Sequence, residues 1–256
     1  MNKPVVIIGV GEMGGVFARG FLRLGYPVYP VTRNMDMAQC ASEIPDPEMV
    51  LLAVAEKDLH PALEKIPAAW RDRLALLQNE LLPHDWQQYD LDQPTVISVW
   101  FEKKKGQDAK VIIPSPVYGP KSQLINDALN AIDIPCDPLA DEDRLLFELV
   151  VKNVYILTTN ISGLETGGTV GELWEHHRKV ADAVSREVIE IQQALTGREF
   201  NADELIAAMV RAFEGDLDHQ CMGRSAPSRL ERALEQAKKF GVSVEKMIDI
   251  SAAANT

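Results

Sequence analysis

The order of apolar and polar positions predicts that the first part of the chain alternates strands with helices. Val5 to Ile8 form an unbroken apolar, β-branched run, as expected of a strand buried on both faces. Four later runs also have strand character, and helical or turn-like stretches separate them: YPVYPVTR, MVLLAVA, LALLQN and TVISVW. Because strands that alternate with helices build βαβ units, this order predicts a parallel sheet.

Two shorter runs, KVIIP and PVYGP, follow a charged turn with the sequence EKKKGQD. We interpret them as extra strands that pair antiparallel at the edge of the sheet. The lysines of the charged turn are interpreted as part of a solvated hairpin.

Beyond Asp141 the periodicity becomes helical. Helices are predicted over DRLLFELVVKNVYILTTN, over 173–195, over 201–213 and over 227–240, with Gly241 closing the last one. The first of them places Leu145, Leu149, Lys152, Ile156 and Asn160 along one face. The predicted fold is an α/β Rossmann-type N-terminal domain, residues 1–140, followed by an all-α C-terminal domain, residues 141–256, for substrate binding and dimerisation.

Composition narrows the classes of partner. The chain has 256 residues, 46% of them hydrophobic, and a net charge of -12, which argues against non-specific binding to nucleic acid or to an anionic membrane. The three cysteines form no CxxC pair, and the adjacent His176 and His177 would point about 100° apart on a helix, so no metal site is predicted. No stretch reaches about 18 apolar residues, and a soluble cytoplasmic protein is expected.

The first predicted strand runs into a GxGxxG turn, Gly9-Val10-Gly11-Glu12-Met13-Gly14, and a helical pattern follows at once. Gly9 permits the tight turn, Gly11 lets backbone amides approach a pyrophosphate, and Gly14 lets the helix pack on the strand. The amino end of the helix offers free N–H groups to the phosphates. The turn is therefore predicted to bind a dinucleotide, and a purely structural glycine turn is the alternative.

The end of the second predicted strand bears on which dinucleotide binds. NAD sites usually place an acidic residue there, whereas this strand ends in Thr32 and Arg33. A guanidinium suits the 2′-phosphate of NADP(H), which is the predicted cofactor. Asp36, three residues further on, is the competing feature, and the alternative for Arg33 is an exposed loop arginine.

The chain resembles the ketopantoate reductase family, within the wider 6-phosphogluconate dehydrogenase-like group. The resemblance rests on the GxGxMG turn, on an arginine 24 residues after its first glycine, and on several short motifs: Gln78-Asn79, VYGP at 117–120, FELVVKN with Lys152, GEL at 171–173 and AKKFGVSV at 237–244. It implies hydride transfer from NADPH to the ketone of a 2-oxo acid. Lys152 corresponds to the family's catalytic acid, and the alternative is a lysine that extends to solvent. Asn79 is assigned to catalysis and to the cofactor, and Ala53 and Val54 to the cofactor.

The chain departs from the family mainly where substrate is bound. Ile156 stands where the family has an asparagine, and Asn160 lies one turn further along the same face. The serine-rich substrate motif reads His-Gln-Cys-Met here, with Cys221 as its third residue, and the family's late glutamate has no clear counterpart. Ile156, Asn160 and Cys221 are the predicted substrate-binding residues.

These departures leave two alternatives to the 2-oxo acid reductase. One is another 6-phosphogluconate dehydrogenase-like oxidoreductase that acts on a hydroxy acid or a cyclic imine. The other is a non-catalytic NADP(H) sensor. A homodimer is also possible, because the stripe formed by Val180, Val184, Val188, Ile191 and Leu195 fits either a core or a dimer seam.

Overall fold

The computed structural model describes residues 2–254, which form two compact units divided between Glu148 and Leu149. Within the described residues the first unit holds a seven-stranded sheet and a two-stranded one. The strands are β1 Val5–Ile8, β2 Val28–Val31, β3 Met49–Leu52, β4 Leu74–Leu76, β5 Thr95–Ile97, β6 Phe101–Glu102, β7 Lys110–Val111, β8 Ser115–Tyr118 and β9 Cys136–Pro138.

The large sheet has the order β2-β1-β3-β4-β5-β8-β9, and its first five strands are parallel. Helices connect its strands: α1 Glu12–Arg23, α2 Met37–Glu43, α3 Leu59–Leu63, α4 Pro83–Gln87 and α5 Ser122–Asn130. Strand β2 lies on one side of β1 and β3 on the other, so the chain reverses direction across the sheet between β1 and β3. Open α/β sheets bind ligands at such a switch point, outside the carboxyl ends of the strands.

The apolar runs form strands because both faces of the sheet are covered. All four residues of β1 and all four of β3 are buried. On one face, Phe17 and Phe21 of α1 pack with Ile125 and Leu129 of α5 and with Ile7 at the centre of β1. The Rossmann-type part of the predicted fold is confirmed.

The edge of the sheet matches the prediction only in part. Strand β8, from the PVYGP run, pairs antiparallel with β5 as expected. The KVIIP run instead supplies β7, which pairs with β6 in the separate two-stranded sheet. Strand β9 was not predicted; it is three residues long and contains Asp137 and Pro138, which are poor strand formers, and its pairing with β8 makes it a strand.

The described residues after β9 are mainly helical, as predicted. Their helices are α6 Glu142–Thr166, α7 Val170–His176, α8 Arg178–Thr196, α9 Ala202–Gly215, α10 Ala226–Phe240 and α11 Glu245–Ala254. The last helix, α11, was not among the predicted ones. Asn201 caps α9 by accepting the N–H groups of Asp203 and Glu204. Gly241 ends α10 in the left-handed conformation, with φ of 69°.

The single long helix predicted over 173–195 is wrong, because α7 and α8 are separate helices with His177 between them. The reason lies in the polar run EHHRK, whose five residues are all exposed. The run contains no apolar side chain that could pack a continuous helix against the rest of the unit. The stripe along α8 is core at its centre, because Val184, Val188 and Ile191 are fully buried within the chain.

Among the described helices, α6 is the one that is long and apolar enough to cross a membrane by length and composition, with a mean hydropathy of 1.2 over its best window. Of that window, 72% is buried inside the protein, which is typical of the core helix of a soluble protein.

Candidate functional site

The glycine turn between β1 and α1 uses its three glycines for different reasons. Gly9 has φ of 93°, and a Cβ there would stand 2.6 Å from the Ala53 carbonyl oxygen. A Cβ on Gly14 would overlap the Gly9 carbonyl oxygen. A Cβ on Gly11 would meet no atom within 4 Å from any described residue other than its two neighbours in the chain. The fold itself therefore requires glycine at positions 9 and 14. At Gly11 the fold does not require glycine, and the missing side chain leaves open space beside the turn.

That open space belongs to a depression of about 300 Å³ at the amino end of α1. The first N–H groups of a helix have no partner within the helix, so this end can receive an anion. The depression is lined by residues of the turn and of α1 together with one lysine of the hairpin: Val10, Gly11, Glu12, Gly15, Val16, Arg19 and Lys103. Sequence reasoning missed Arg19 and Lys103.

Thr32 and Arg33 follow β2 at the same edge of the sheet. The Arg33 side chain is 91% exposed, and its Nη2 atom lies 3.7 Å from Oδ2 of Asp58. Asp36, the acidic residue that competes with Arg33 as a mark of cofactor choice, caps α2: its Oδ1 accepts the Gln39 N–H at 3.0 Å. An exposed cation thus follows β2, while Asp36, the nearest acid along the chain, is engaged in a helix cap.

The loops after β3 and β4 are joined by two amide side chains. Gln78 is buried, and its Nε2 donates to the carbonyl oxygens of Leu52 at 2.7 Å and Val54 at 3.3 Å. Asn79 is half-buried, and its Nδ2 donates to Oε1 of Glu56 at 2.9 Å. The predicted cofactor residues Ala53, Val54 and Asn79 therefore lie with the glycine turn at the carboxyl edge of the parallel strands.

In the helical unit, α6 carries the predicted catalytic lysine. Lys152 is 9% exposed, and its Nζ lies 5.7 Å from the centroid of the Tyr155 ring. Ile156 is buried one turn further on. Asn153, the residue directly after Lys152, points into the helical core, where its Nδ2 donates to Oε1 of Gln192 at 2.9 Å.

Asn160 is held by an arginine that sequence reasoning missed. Nη1 of Arg229, on α10, donates to Oδ1 of Asn160 at 3.0 Å, and Arg229 is buried. The surrounding sequence of α10 marks Arg229 as one polar residue among several, so only the tertiary fold reveals the pair. A cation thus lies at the predicted substrate-binding end of α6.

Cys221 lies in a loop packed on α6. Its side chain is fully buried, and a Cβ on Gly163 would stand 2.8 Å from the Cys221 Cβ. Burial, aided by the nearby charge of Glu172, raises the pKa of the Cys221 thiol to about 12. The thiol is therefore neutral at physiological pH, and its contact with substrate stays a prediction.

Solved structures of known proteins match nearly the whole chain. A 2-dehydropantoate 2-reductase from Methylococcus capsulatus gives a TM-score of 0.70 at 13% identity, over 98% of this chain and 96% of that one. A dimeric ketopantoate reductase from Staphylococcus aureus gives 0.67 at 14% identity, over 98% and 97%. This chain has the fold of the ketopantoate reductases.

D-Mandelate dehydrogenase in complex with NADH is equally similar, with a TM-score of 0.70 at 14% identity over 98% of this chain and 97% of that one. No protein-family model and no curated protein sequence matches the chain. The resemblance drawn from short motifs is thus confirmed as the ketopantoate reductase fold. The roles of the individual site residues stay predictions.

Proposed function

We propose that this protein is an NADPH-dependent reductase of a small 2-oxo acid. The observation that carries the proposal is the open space beside Gly11. Gly11 lies in sequence between Gly9 and Gly14, the two glycines that the fold itself requires. A turn of this shape, at the switch point of a parallel sheet and at a helix amino end, fits the pyrophosphate of a dinucleotide. The shared ketopantoate reductase fold supports the same function.

The proposed cofactor site consists of the glycine turn, the ends of β2 and β3, and Asn79. Its residues are Gly9, Val10, Gly11, Glu12, Met13, Gly14, Thr32, Arg33, Ala53, Val54 and Asn79. Arg33 favours NADP(H) because its guanidinium is exposed after β2, where NAD sites place an acid, and because Asp36 is engaged in the α2 cap. The similarity to an NADH complex does not decide this choice, since it reflects fold alone.

An Arg33→Ala variant should lose its preference for NADPH over NADH. A charge-assisted contact to the 2′-phosphate is worth about 1.5–3 kcal/mol, so NADPH affinity should fall by roughly tenfold or more while NADH affinity holds. Titration of both cofactors, followed by their fluorescence, measures this. Arg23→Ala, at the exposed end of α1, is the matched control. Equal affinities in the unchanged protein would contradict the assignment of NADP(H).

We further propose that Lys152 is the proton donor. The cofactor, when bound, would supply a hydride to the ketone carbon, and the carbonyl oxygen would then need a proton. Lys152 holds one on Nζ, and its positive charge stabilises the developing alkoxide before the proton moves. Asn79 offers both a donor and an acceptor to orient the nicotinamide or the substrate.

We propose that the substrate contacts Ile156, Asn160 and Cys221 in the helical domain. Ile156 offers an apolar contact, Asn160 is fixed by Arg229, and Cys221 is a neutral thiol. An apolar residue in place of the family's asparagine favours a substrate with an apolar side chain. The second candidate is therefore a 2-oxo acid with an aromatic substituent.

A screen of NADPH oxidation tests these alternatives. Ketopantoate, phenylglyoxylate, aliphatic 2-oxo acids and cyclic imines are each supplied with NADPH, and the loss of the reduced cofactor is recorded. Turnover of a 2-oxo acid is the expected result, and the ranking of ketopantoate against phenylglyoxylate separates the two substrate candidates. NADPH binding without turnover of any compound would favour the sensor and contradict the proposed reductase.

A further inference from the structure

The glycine turn carries an acid where a dinucleotide needs positive potential. Glu12 is the first residue of α1 and lines the depression at the amino end of that helix. Its side chain is half-exposed. A carboxylate here opposes a pyrophosphate, because like charges a few ångströms apart repel, so a cation that offsets Glu12 would favour phosphate binding at the turn.

Lys103 is that cation. Its Nζ donates to Oε2 of Glu12 at 3.0 Å and to the carbonyl oxygen of Lys104 at 2.9 Å. The Lys103 side chain is only 20% exposed, and it lines the same depression as Gly11. The interpretation of the EKKKGQD lysines as a solvated hairpin is therefore wrong for Lys103.

The hairpin formed by β6 and β7 fixes this lysine beside α1. Phe101, two residues earlier, is buried in the core, and its ring lies 6.1 Å from that of Phe17 on α1. The neighbouring lysines differ: Lys104 is 62% exposed and pairs with Glu102, and Lys105 is exposed. Of the three lysines, Lys103 is the one that the packing directs to the glycine turn.

We propose that Lys103 is a direct ligand of the cofactor pyrophosphate, and that its ammonium turns from Glu12 to a phosphate oxygen when the dinucleotide binds. The inference rests on the proposed function, since it requires a dinucleotide in the glycine turn. Glu12 holds the ammonium of Lys103 at the rim of the depression. Arg19, also at the rim, adds a second positive charge. Because NADPH and NADH share the pyrophosphate, Lys103 serves both, in contrast to Arg33.

A double-mutant cycle on the full chain separates direct contact from mere neutralisation of Glu12. The variants are Lys103→Met, Glu12→Gln and the double variant, each titrated with NADPH and with NADH. Lys103→Met should weaken both cofactors by about tenfold or more, as expected for the loss of a charged hydrogen bond. Glu12→Gln should tighten binding, because it frees the ammonium and removes a repulsive charge. In the Glu12→Gln background, removing Lys103 should still weaken both cofactors by about tenfold.

Lys105→Met is the matched control from the same hairpin and should leave both affinities unchanged. Lys103→Arg should keep most of the binding, because it retains the charge. Circular dichroism spectra and melting temperatures show whether each variant is folded.

If Lys103→Met has no effect in the Glu12→Gln background, Lys103 only neutralises Glu12 and the proposal is overturned. If Lys103→Met weakens NADPH and leaves NADH unchanged, the ligand is the 2′-phosphate, which also overturns it. An unchanged protein that binds neither cofactor would remove the proposed function together with this inference, whereas binding that does not respond to Lys103 would remove the inference alone.

Discussion

A Gly11→Val variant should fold like the unchanged protein and bind no detectable NADPH. The backbone at Gly11 is extended, with φ of -80° and ψ of -163°, which valine adopts readily. Apart from Gly11 itself and its two neighbours in the chain, no described residue has an atom within 4 Å of the position that the new Cβ would take. The new side chain would therefore occupy the space proposed for the pyrophosphate without disturbing the unit that carries it.

Two other glycines serve as references for this variant. Gly14→Val should unfold or strongly destabilise the first unit, because its Cβ overlaps the Gly9 carbonyl oxygen. Gly223→Val, on an exposed loop with open space around its Cβ, should change neither folding nor binding. Melting curves and NADPH titrations of the three variants provide the comparison. A folded Gly11→Val protein that still binds NADPH would show that the turn is structural only.

A Lys152→Ala variant should lose turnover by about 10²–10⁴-fold, the usual contribution of a general acid. Its NADPH affinity should stay nearly constant, because the proposed phosphate contacts lie on the glycine turn, on Lys103 and at Arg33. The comparison is made on the best substrate from the oxidation screen. A loss of kcat with an unchanged cofactor affinity would mark Lys152 as a residue of the chemical step.

Lys152 is nearly buried, so its removal could also affect stability, and a second substitution separates the two effects. Lys152→Met keeps the length of the apolar stem and removes only the charge and the proton. Both variants should therefore lose turnover to a similar extent, while the methionine variant melts closer to the unchanged protein. Lys179→Ala, an exposed lysine at the start of α8, is the matched control. Full turnover in Lys152→Met would end this mechanism.

The sequence predicts those parts of the molecule that are determined locally. The buried parallel strands are continuous apolar runs, and the β1–α1 turn needs glycine for steric reasons that act within a few residues. The same holds for the caps of α9 and α10, where Asn201 and Gly241 were already the predicted limits. Each of these features is visible to a reader who knows only the neighbouring residues.

The features that sequence reasoning missed depend on distant partners. Lys103 is one of three consecutive lysines, and only the packing of Phe101 on Phe17 distinguishes it. Arg229 becomes part of the candidate site through an asparagine 69 residues earlier in the chain. Apolar spacing also suggested one helix over 173–195, where the polar run EHHRK allows the chain to break at His177.

The buried side chain of Gln78 preorganises the edge of the sheet that is proposed to bind the cofactor. Its amide ties the carbonyl oxygens of Leu52 and Val54 to the end of β4, so the loop after β3 is braced before any ligand arrives. Ordering a flexible loop on binding costs about 1–2 kcal/mol per residue in backbone entropy, which a braced loop has already lost during folding. The backbone of this loop should accordingly show high NMR order parameters in the free protein. The conformation of the loop is therefore fixed before a ligand binds, and binding does not have to order it.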